Sequence, residues 1–315
     1  MNPEIRLTVA IPTYRRAGLL RATLAGVTRQ DFPADRYEVL VIDNNSPDNT
    51  REVSAACAGG VPAVRYVLEA RQGLDHARNR AIAEARGEII VFADDDVLVE
   101  PDWLRELVAP LLGDPSRRIG AVGGEVIPVF PDGLPPWLTG AHRPLAFRTD
   151  PGPLPSHQTP MGANLAIPKW AFARCGTFST DLDRRGQALF SGGDGETIRR
   201  LRAAGLEVWF APAAKAFHQM PASRLIFRYA TRHAFDSARS RVVDHVAGLR
   251  AAGCSSWGYL ASRFGANLLK TAAFTLLALL SLIVFRTGDT RKCLVRAWRS
   301  CGYLYQILRS SLGKT

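Results

Sequence analysis

Cysteine is scarce and scattered: there are five in 315 residues, Cys57, Cys175, Cys254, Cys293 and Cys301, with no C-x-x-C pair. That excludes a disulfide framework and gives no sign of a zinc knot or redox dithiol, so reduced cytosol is the default compartment. Internal repeats and low-complexity tracts are missing too, which excludes a solenoid or a disordered tail. The N-terminal MNPEIRLTVAIP lacks a basic segment followed by an apolar one, so no secretory leader is expected. Acidic residues nearly vanish near the C-terminus. From Pro221 to Thr315 there are 15 Lys and Arg against 3 Asp and Glu, leaving 25 against 26 in the first 220 residues. The net charge of +11 therefore belongs to the tail. Nucleic-acid binding would need basic residues interleaved with stacking aromatics on a folded surface, so no nucleic-acid partner is expected.

Alternating apolar strands and helical spacings fill the near-neutral portion. Leu7 to Ile11, Tyr37 to Ile42, Val64 to Leu68 and Glu88 to Ala93 read as strands, as does Glu207 to Phe210 later in the chain. Gly18 to Gln30, Asp75 to Ala85, Pro101 to Leu112 and Gly195 to Ala204 carry helical spacing. The order implies an α/β, doubly wound, mostly parallel sheet whose ligands sit beyond the carboxyl ends of the strands. Phe130 to Pro160 holds eight prolines and reads as an irregular excursion beside that edge.

The sharpest local signal is Asp94-Asp95-Asp96 after the apolar run IIVFA. Three adjacent carboxylates repel one another, and a divalent cation such as Mg²⁺ or Mn²⁺ would relieve that repulsion; the alternative is a cap on the helix that follows. VAIPTYRR also ends a strand, and reads either as a nucleotide cradle built from Pro12, Thr13, Tyr14 and Arg16 or as a plain turn. Asp43, in the sequence Asp43-Asn44-Asn45, is either a turn residue or an acceptor for the N3–H of uracil or thymine.

Seven ordered motifs carry a resemblance: VAIPTYRR, VLVIDNNSPDNT, GLDHARNRAI, EIIVFADDD, MGANLAIPK, SGGDGETIRRLRAAG and WFAPAAKAFH. Together, over Leu7 to His218, they resemble the family 2 glycosyltransferases, inverting enzymes with a GT-A type fold, of the membrane-associated bacterial polysaccharide kind. The resemblance implies that Pro12, Thr13, Tyr14, Arg16, Asp43 and Asn45 hold the donor nucleotide. It also implies that the segment from Gly73 to Asn79, with Arg78, lines the diphosphate or base. Asp94 falls near the ribose with Asp95 beside it, and Asp96 reaches the metal, with His218 either a second ligand or a structural histidine. Gly162 and Asn164 lie beneath the transferred sugar and acceptor, and Asp194 stands at the catalytic base. Relatives usually carry an acid before that Asp; here Gly193 takes its place, and either the acid was auxiliary or Glu196 supplies the second charge on the acceptor side. Trp137 and His142 could stack on a sugar or simply pack.

Chemistry supports the base independently of resemblance. Inversion needs a hydroxyl nucleophile opposite the leaving diphosphate, so one carboxylate must take its proton while the metal stabilises the departing phosphate. The reading is transfer from a nucleoside diphosphate sugar, UDP-sugar favoured, to a hydroxyl of a glycan or lipid-linked acceptor. The alternatives are transfer to polyprenyl phosphate, or a sugar-nucleotide-binding scaffold without catalysis.

The tail contains TAAFTLLALLSLIVF, an uncharged run of 15 residues from Thr271 to Phe285. Such a helix rises about 22 Å against a hydrocarbon core of about 30 Å. Basic residues flank it on both sides: Arg263 and Lys270 before, and Arg286, Arg291, Lys292, Arg296 and Arg299 after. The expectation is a peripheral or monotopic helix on an anionic membrane surface at the cytoplasmic face, with a single span or a packed hairpin as alternatives. The organisation expected is a glycosyltransferase domain over 1–220, a basic helical connector over 221–253 and a membrane-association region over 254–315. Oligomeric state stays open.

Overall fold

Strands β1 (Leu7–Thr13) and β2 (Tyr37–Asp43) are buried at every position. That is what continuous apolar runs produce in a parallel sheet covered on both faces. The structure is a computed structural model that describes residues 5–130, 133–138, 144–180, 192–251 and 253–312. The chain divides into two units, residues 1–129, 143–180 and 193–219 in the first and 130–142, 181–192 and 220–315 in the second.

In the first unit β3 (Ala63–Leu68), β2, β1 and β4 (Ile89–Ala93) form a parallel block. Beyond β4 the sheet becomes mixed. The order continues through β8 (Asn164–Pro168), β6 (Ile119–Val129), β9 (Glu207–Gln219) and β5 (Val97–Val99), and the short β7 (Gly152–Pro153) pairs with β9. β8 runs antiparallel to both β4 and β6, whereas β9 is parallel to β6. The reversal matters for function: it brings the start of β8 to the edge where β1, β2, β4 and β9 end.

Helices cover both faces. On one, Leu20 and Leu24 of α1 (Ala17–Val27), Val53 of α2 (Thr50–Ala55) and Trp103, Leu104 and Leu107 of α4 (Trp103–Leu112) pack against Val9, Ile11, Val39 and Val91. On the other, Ala77 and Ala81 of α3 (Leu74–Glu84), Phe172 of α5 (Lys169–Cys175) and Ile198 and Leu201 of α6 (Gly193–Ala203) pack against Ala10, Leu40, Ile90 and Phe92. Alternate strand residues thus serve alternate faces, as the pleat requires.

The second unit is helical among its described residues: a 3-10 turn at Pro136–Leu138, then α7 (Phe227–Ala251), α8 (Trp257–Ile283) and α9 (Thr287–Ser311). α9 packs against both α7 and α8. Val242, Val246, Leu260 and Ile307 form their shared core. α8 is 27 residues long and holds an 18-residue window with a mean hydropathy of 1.8, long and apolar enough to cross a membrane by length and composition. It extends well before the uncharged run, and Leu269, Leu276, Leu279, Leu280 and Ile283 stay exposed, ending at Phe285, which is 90% exposed. The arginines of α7 are partly engaged within this unit: Arg239 pairs with Asp236 at 3.2 Å and lies over the Tyr305 ring at 5.0 Å.

Candidate active site

The end of β4 delivers the three aspartates to two different neighbourhoods. Asp95 accepts a hydrogen bond from the Thr13 hydroxyl at 2.7 Å and another from Arg16 Nη1 at 2.9 Å. The same Arg16 nitrogen donates to Asp96 Oδ2 at 2.8 Å. Burial alone would lower the Arg16 pKa, but Asp95 and Asp96 outweigh it and hold the guanidinium above its usual range. Burial also pushes the Asp95 carboxyl up, to about 6, with Arg16 pulling it back and Asp96 adding to the rise. Arg16 is thus tied to the carboxylates.

Asp96 turns its other oxygen, Oδ1, to His218 Nε2 at 3.0 Å. The approach follows from sheet register, because β5 pairs Val97 with His218. Asp94, Asp96 and His218 each offer a ligand atom, all within 4.8 Å of one another. Two carboxylates and an imidazole form a donor set that fits Mn²⁺.

The second centre stands at the N-terminus of α6. Asp194 Oδ2 accepts the Gly162 backbone N–H at 2.9 Å, and Oδ1 lies 2.8 Å from Arg78 Nη1. That ion pair lacks hydrogen-bond geometry, so Oδ1 accepts no hydrogen bond among the described residues. Arg78 Nη1 also donates to Asp75 Oδ1 at 3.0 Å. Burial would lower the Arg78 pKa; Asp194, Asp75 and Asp94 more than offset this and hold the charge. The approach at Gly162 is close: a Cβ there would fall 2.6 Å from Asp194 Oδ1, so a side chain would displace that carboxylate.

A third group gathers past β2. Asp43 is buried and accepts the Ser46 N–H at 2.9 Å and the Tyr66 hydroxyl at 2.8 Å. Burial, aided by the Asp43 carboxylate, pushes the Tyr66 phenol up to about 12. Asn44 fastens the neighbouring loop, donating to the Glu69 and Arg71 carbonyls and accepting the Gly73 N–H. Asn45 is exposed with φ 63°, a left-handed conformation that Asn tolerates. Tyr14 is exposed, whereas Pro12 is buried within β1.

Glu69 braces this loop through Arg71 Nε at 2.8 Å and Nη2 at 2.9 Å. The Arg71 hydrogen bonds lower its pKa to about 2, well below the ordinary glutamate range. A depressed carboxyl stabilises the fold above the unfolded value and loses that contribution as pH falls toward 2. Glu69→Gln should therefore cost about 1–2 kcal/mol at pH 7, discounted because Arg71 is largely exposed, and little near pH 2. Urea unfolding of both chains between pH 7 and the lowest pH at which they fold checks this, with the difference expected to shrink.

Several foreseen residues have other work. Asn164 is fully buried; its Oδ1 accepts Trp103 Nε1–H at 2.9 Å and its Nδ2 donates to the Glu125 and Ala214 carbonyls. It cross-links strands rather than facing an acceptor. Asn79 exchanges hydrogen bonds with the Phe178 backbone in both directions, so its amide holds a loop. Glu196 pairs with Arg200 at 2.6 Å on its own helix. Trp137 is buried in the second unit, edge-on to Phe227 at 5.8 Å, which favours packing over sugar stacking. His142 lies outside the described residues. Asp75 and Tyr66, neither singled out from the sequence, are part of these networks; the close approach of residue 193 to residue 75 has no signature in spacing.

Comparison with known proteins completes the picture. Residues 8–157 match the model described as Glycosyl transferase family 2. Glycosyltransferase AglE of Haloferax volcanii is 30% identical over 206 residues, covering 65% of this chain and 64% of that one. Validoxylamine A glucosyltransferase of Streptomyces hygroscopicus subsp. jinggangensis is 32% identical over 115 residues, 36% of this chain and 27% of that one. The chain thus spans less than two thirds of the length of these curated relatives. Among solved structures, the mannosyltransferase PcManGT from Pyrobaculum calidifontis, in complex with GDP-Man and Mn²⁺, superposes with a TM-score of 0.59 at 24% identity, covering 94% of this chain and 87% of that one. At that identity the likeness speaks for the fold. With the family match and the relative from Haloferax volcanii added, residues 8–157 are supported as a glycosyl transferase family 2 domain.

Proposed function

We propose that the chain transfers a sugar, with inversion, from a nucleoside diphosphate sugar to a hydroxyl of a glycan acceptor. The observation that carries the reading is the pairing of two centres at one sheet edge: Asp94, Asp96 and His218 as a cation-binding set, and Asp194 with one oxygen lacking a hydrogen bond among the described residues. Asp94, Asp96 and His218 would hold Mn²⁺ or Mg²⁺, which when bound supplies charge stabilisation to a departing diphosphate. Arg16 keeps the carboxylates of this centre in place, and Asp43 with Tyr14 would meet the base. Asp194, held by Gly162 and Arg78, takes the proton of the acceptor hydroxyl as that oxygen attacks the anomeric carbon.

Solved structures of similar fold hold GDP-Man and Mn²⁺ in one case and UDP, GalNAc and Mn²⁺ in another, so a donor screen must include both bases. Thermal unfolding with GDP-mannose, UDP-glucose, UDP-GlcNAc and UDP-GalNAc, each with Mn²⁺, tests the proposal. A ligand at 100 times its Kd adds about 2.7 kcal/mol, enough to raise Tm by several degrees. Stabilisation by one donor, lost with EDTA and in Asp96→Asn, is expected; no response to any donor would count against it.

The exposed apolar face of α8, with Arg286, Arg291 and Lys292 following its end, supports attachment to an anionic membrane and hence a lipid-linked acceptor. Flotation with phosphatidylglycerol vesicles should carry the protein upward, and more weakly with neutral phosphatidylcholine alone; failure to float with either removes this part.

A further inference from the structure

Two helix N-termini converge beside the proposed base. Asp75 is the second residue of α3, and Gly193 is the first of α6. A Cβ built on Gly193 would lie 2.4 Å from Asp75 Oδ2 and 2.9 Å from its Cγ. The space into which a side chain at 193 would begin to project is therefore filled by the Asp75 carboxylate. Asp75 is 2% exposed, and both helix dipoles favour a negative charge at this point.

Arg78 joins this carboxylate to Asp194 through a single nitrogen, 3.0 Å from Asp75 Oδ1 and 2.8 Å from Asp194 Oδ1. With only one partner, a buried guanidinium would bind Asp194 as a closed ion pair and take up the charge that makes it a base. Among the described residues, two carboxylates around one cation leave a net negative charge instead. From these contacts we infer that Asp75 is a positioning residue of the catalytic end, supplying from α3 the second carboxylate that α6 lacks at Gly193. It balances Arg78, so that Asp194 is fixed in place without being neutralised. This rests on the reading of Asp194 as the base.

Moving the carboxylate back tests it. The four donors named above are supplied with Mn²⁺, and nucleoside diphosphate release is followed with the donor that the wild-type chain turns over. Asp75→Ala is expected to lower kcat by about 10- to 100-fold with donor KM changed less than about 3-fold, a split that places the loss after donor binding. Gly193→Glu alone should also be slow, because its side chain meets Asp75. The double variant Asp75→Ala, Gly193→Glu should recover to within about 5-fold of wild type, since the acid then comes from the other helix. Should Asp75→Ala fail to fold by circular dichroism, Asp75→Asn, which keeps the volume and removes the charge, carries the comparison of the single variant with wild type, and Asp75→Ser takes the place of Asp75→Ala in the double variant. A folded double variant no faster than the single one, or a single variant at the wild-type rate, overturns the role of Asp75. Full turnover by Asp194→Asn removes the base reading itself, and absence of turnover by the wild type with every donor removes both.

Discussion

Asp194→Asn should lower the rate of sugar transfer by about 10²- to 10⁴-fold, the range over which a positioned general base contributes, while leaving donor affinity and fold intact. The structure gives a reason for each half of that expectation. An amide oxygen can still accept the Gly162 N–H, and Arg78 keeps its bond to Asp75, so no buried cation is stranded. What disappears is the carboxylate charge at Oδ1, the oxygen on which the acceptor proton would land. The donor is expected to be held at other residues: Asp43 at the end of β2, and the Asp94, Asp96 and His218 set at the ends of β4 and β9. Steady-state kinetics should thus show a fall in kcat without a matching rise in donor KM, and an unchanged Tm would confirm that the fold survives.

Asn164→Ala should have the opposite profile, a loss of stability first. Truncation leaves the Trp103 indole N–H and the Glu125 and Ala214 carbonyls without this partner in a fully buried place. Each such group costs about 1–3 kcal/mol, and with partial relaxation the total is about 3–5 kcal/mol. For a chain of this size that is a fall in Tm of roughly 10 °C. An acceptor-binding Asn, as the motif suggests, would instead reduce turnover at unchanged Tm. Thermal melts and donor turnover on the same preparation separate the two roles.

Much of the fold was legible because its central strands are unbroken apolar runs that stop at Pro12, Asp43 and Asp94. Burial on both faces requires such runs, and the polar punctuation marks the carboxyl edge. β6 and β8 were harder to read. β6 carries Gly120, Gly123, Gly124 and Pro128, residues that ordinarily break strands, and β8 ends at Pro168. β9 continues to Gln219, past Pro212, well beyond the strand its first residues suggested. Composition also does not show which way a strand runs. The reversed β8 places Ala93 opposite Asn164, and with it Gly162 near the edge where β4 ends, which only pairing decides.

The candidate site divides along the same line. Residues adjacent in sequence, such as Asp94 to Asp96, announce a cluster but not its partition, in which Asp95 is taken by Thr13 and Arg16 and Asp96 is shared with His218. Asn79 and Asn164 lie within motifs and Trp137 in the proline-rich excursion, yet their polar or aromatic groups serve packing and cross-linking. A motif marks where chemistry is concentrated, and the hydrogen-bond inventory determines which side chains remain available for it. The Asp75 and Gly193 contact is the clearest case, since two helices far apart in the chain meet at one carboxylate.

The most direct test of the central claim is the anomeric configuration of the sugar released or transferred, read by proton NMR before mutarotation, from the α-linked donor that the protein turns over with Mn²⁺. A carboxylate base acting on the face opposite the diphosphate predicts a β-configured product whose formation stops in Asp194→Asn. An α-configured product, or undiminished formation in that variant, would contradict the account.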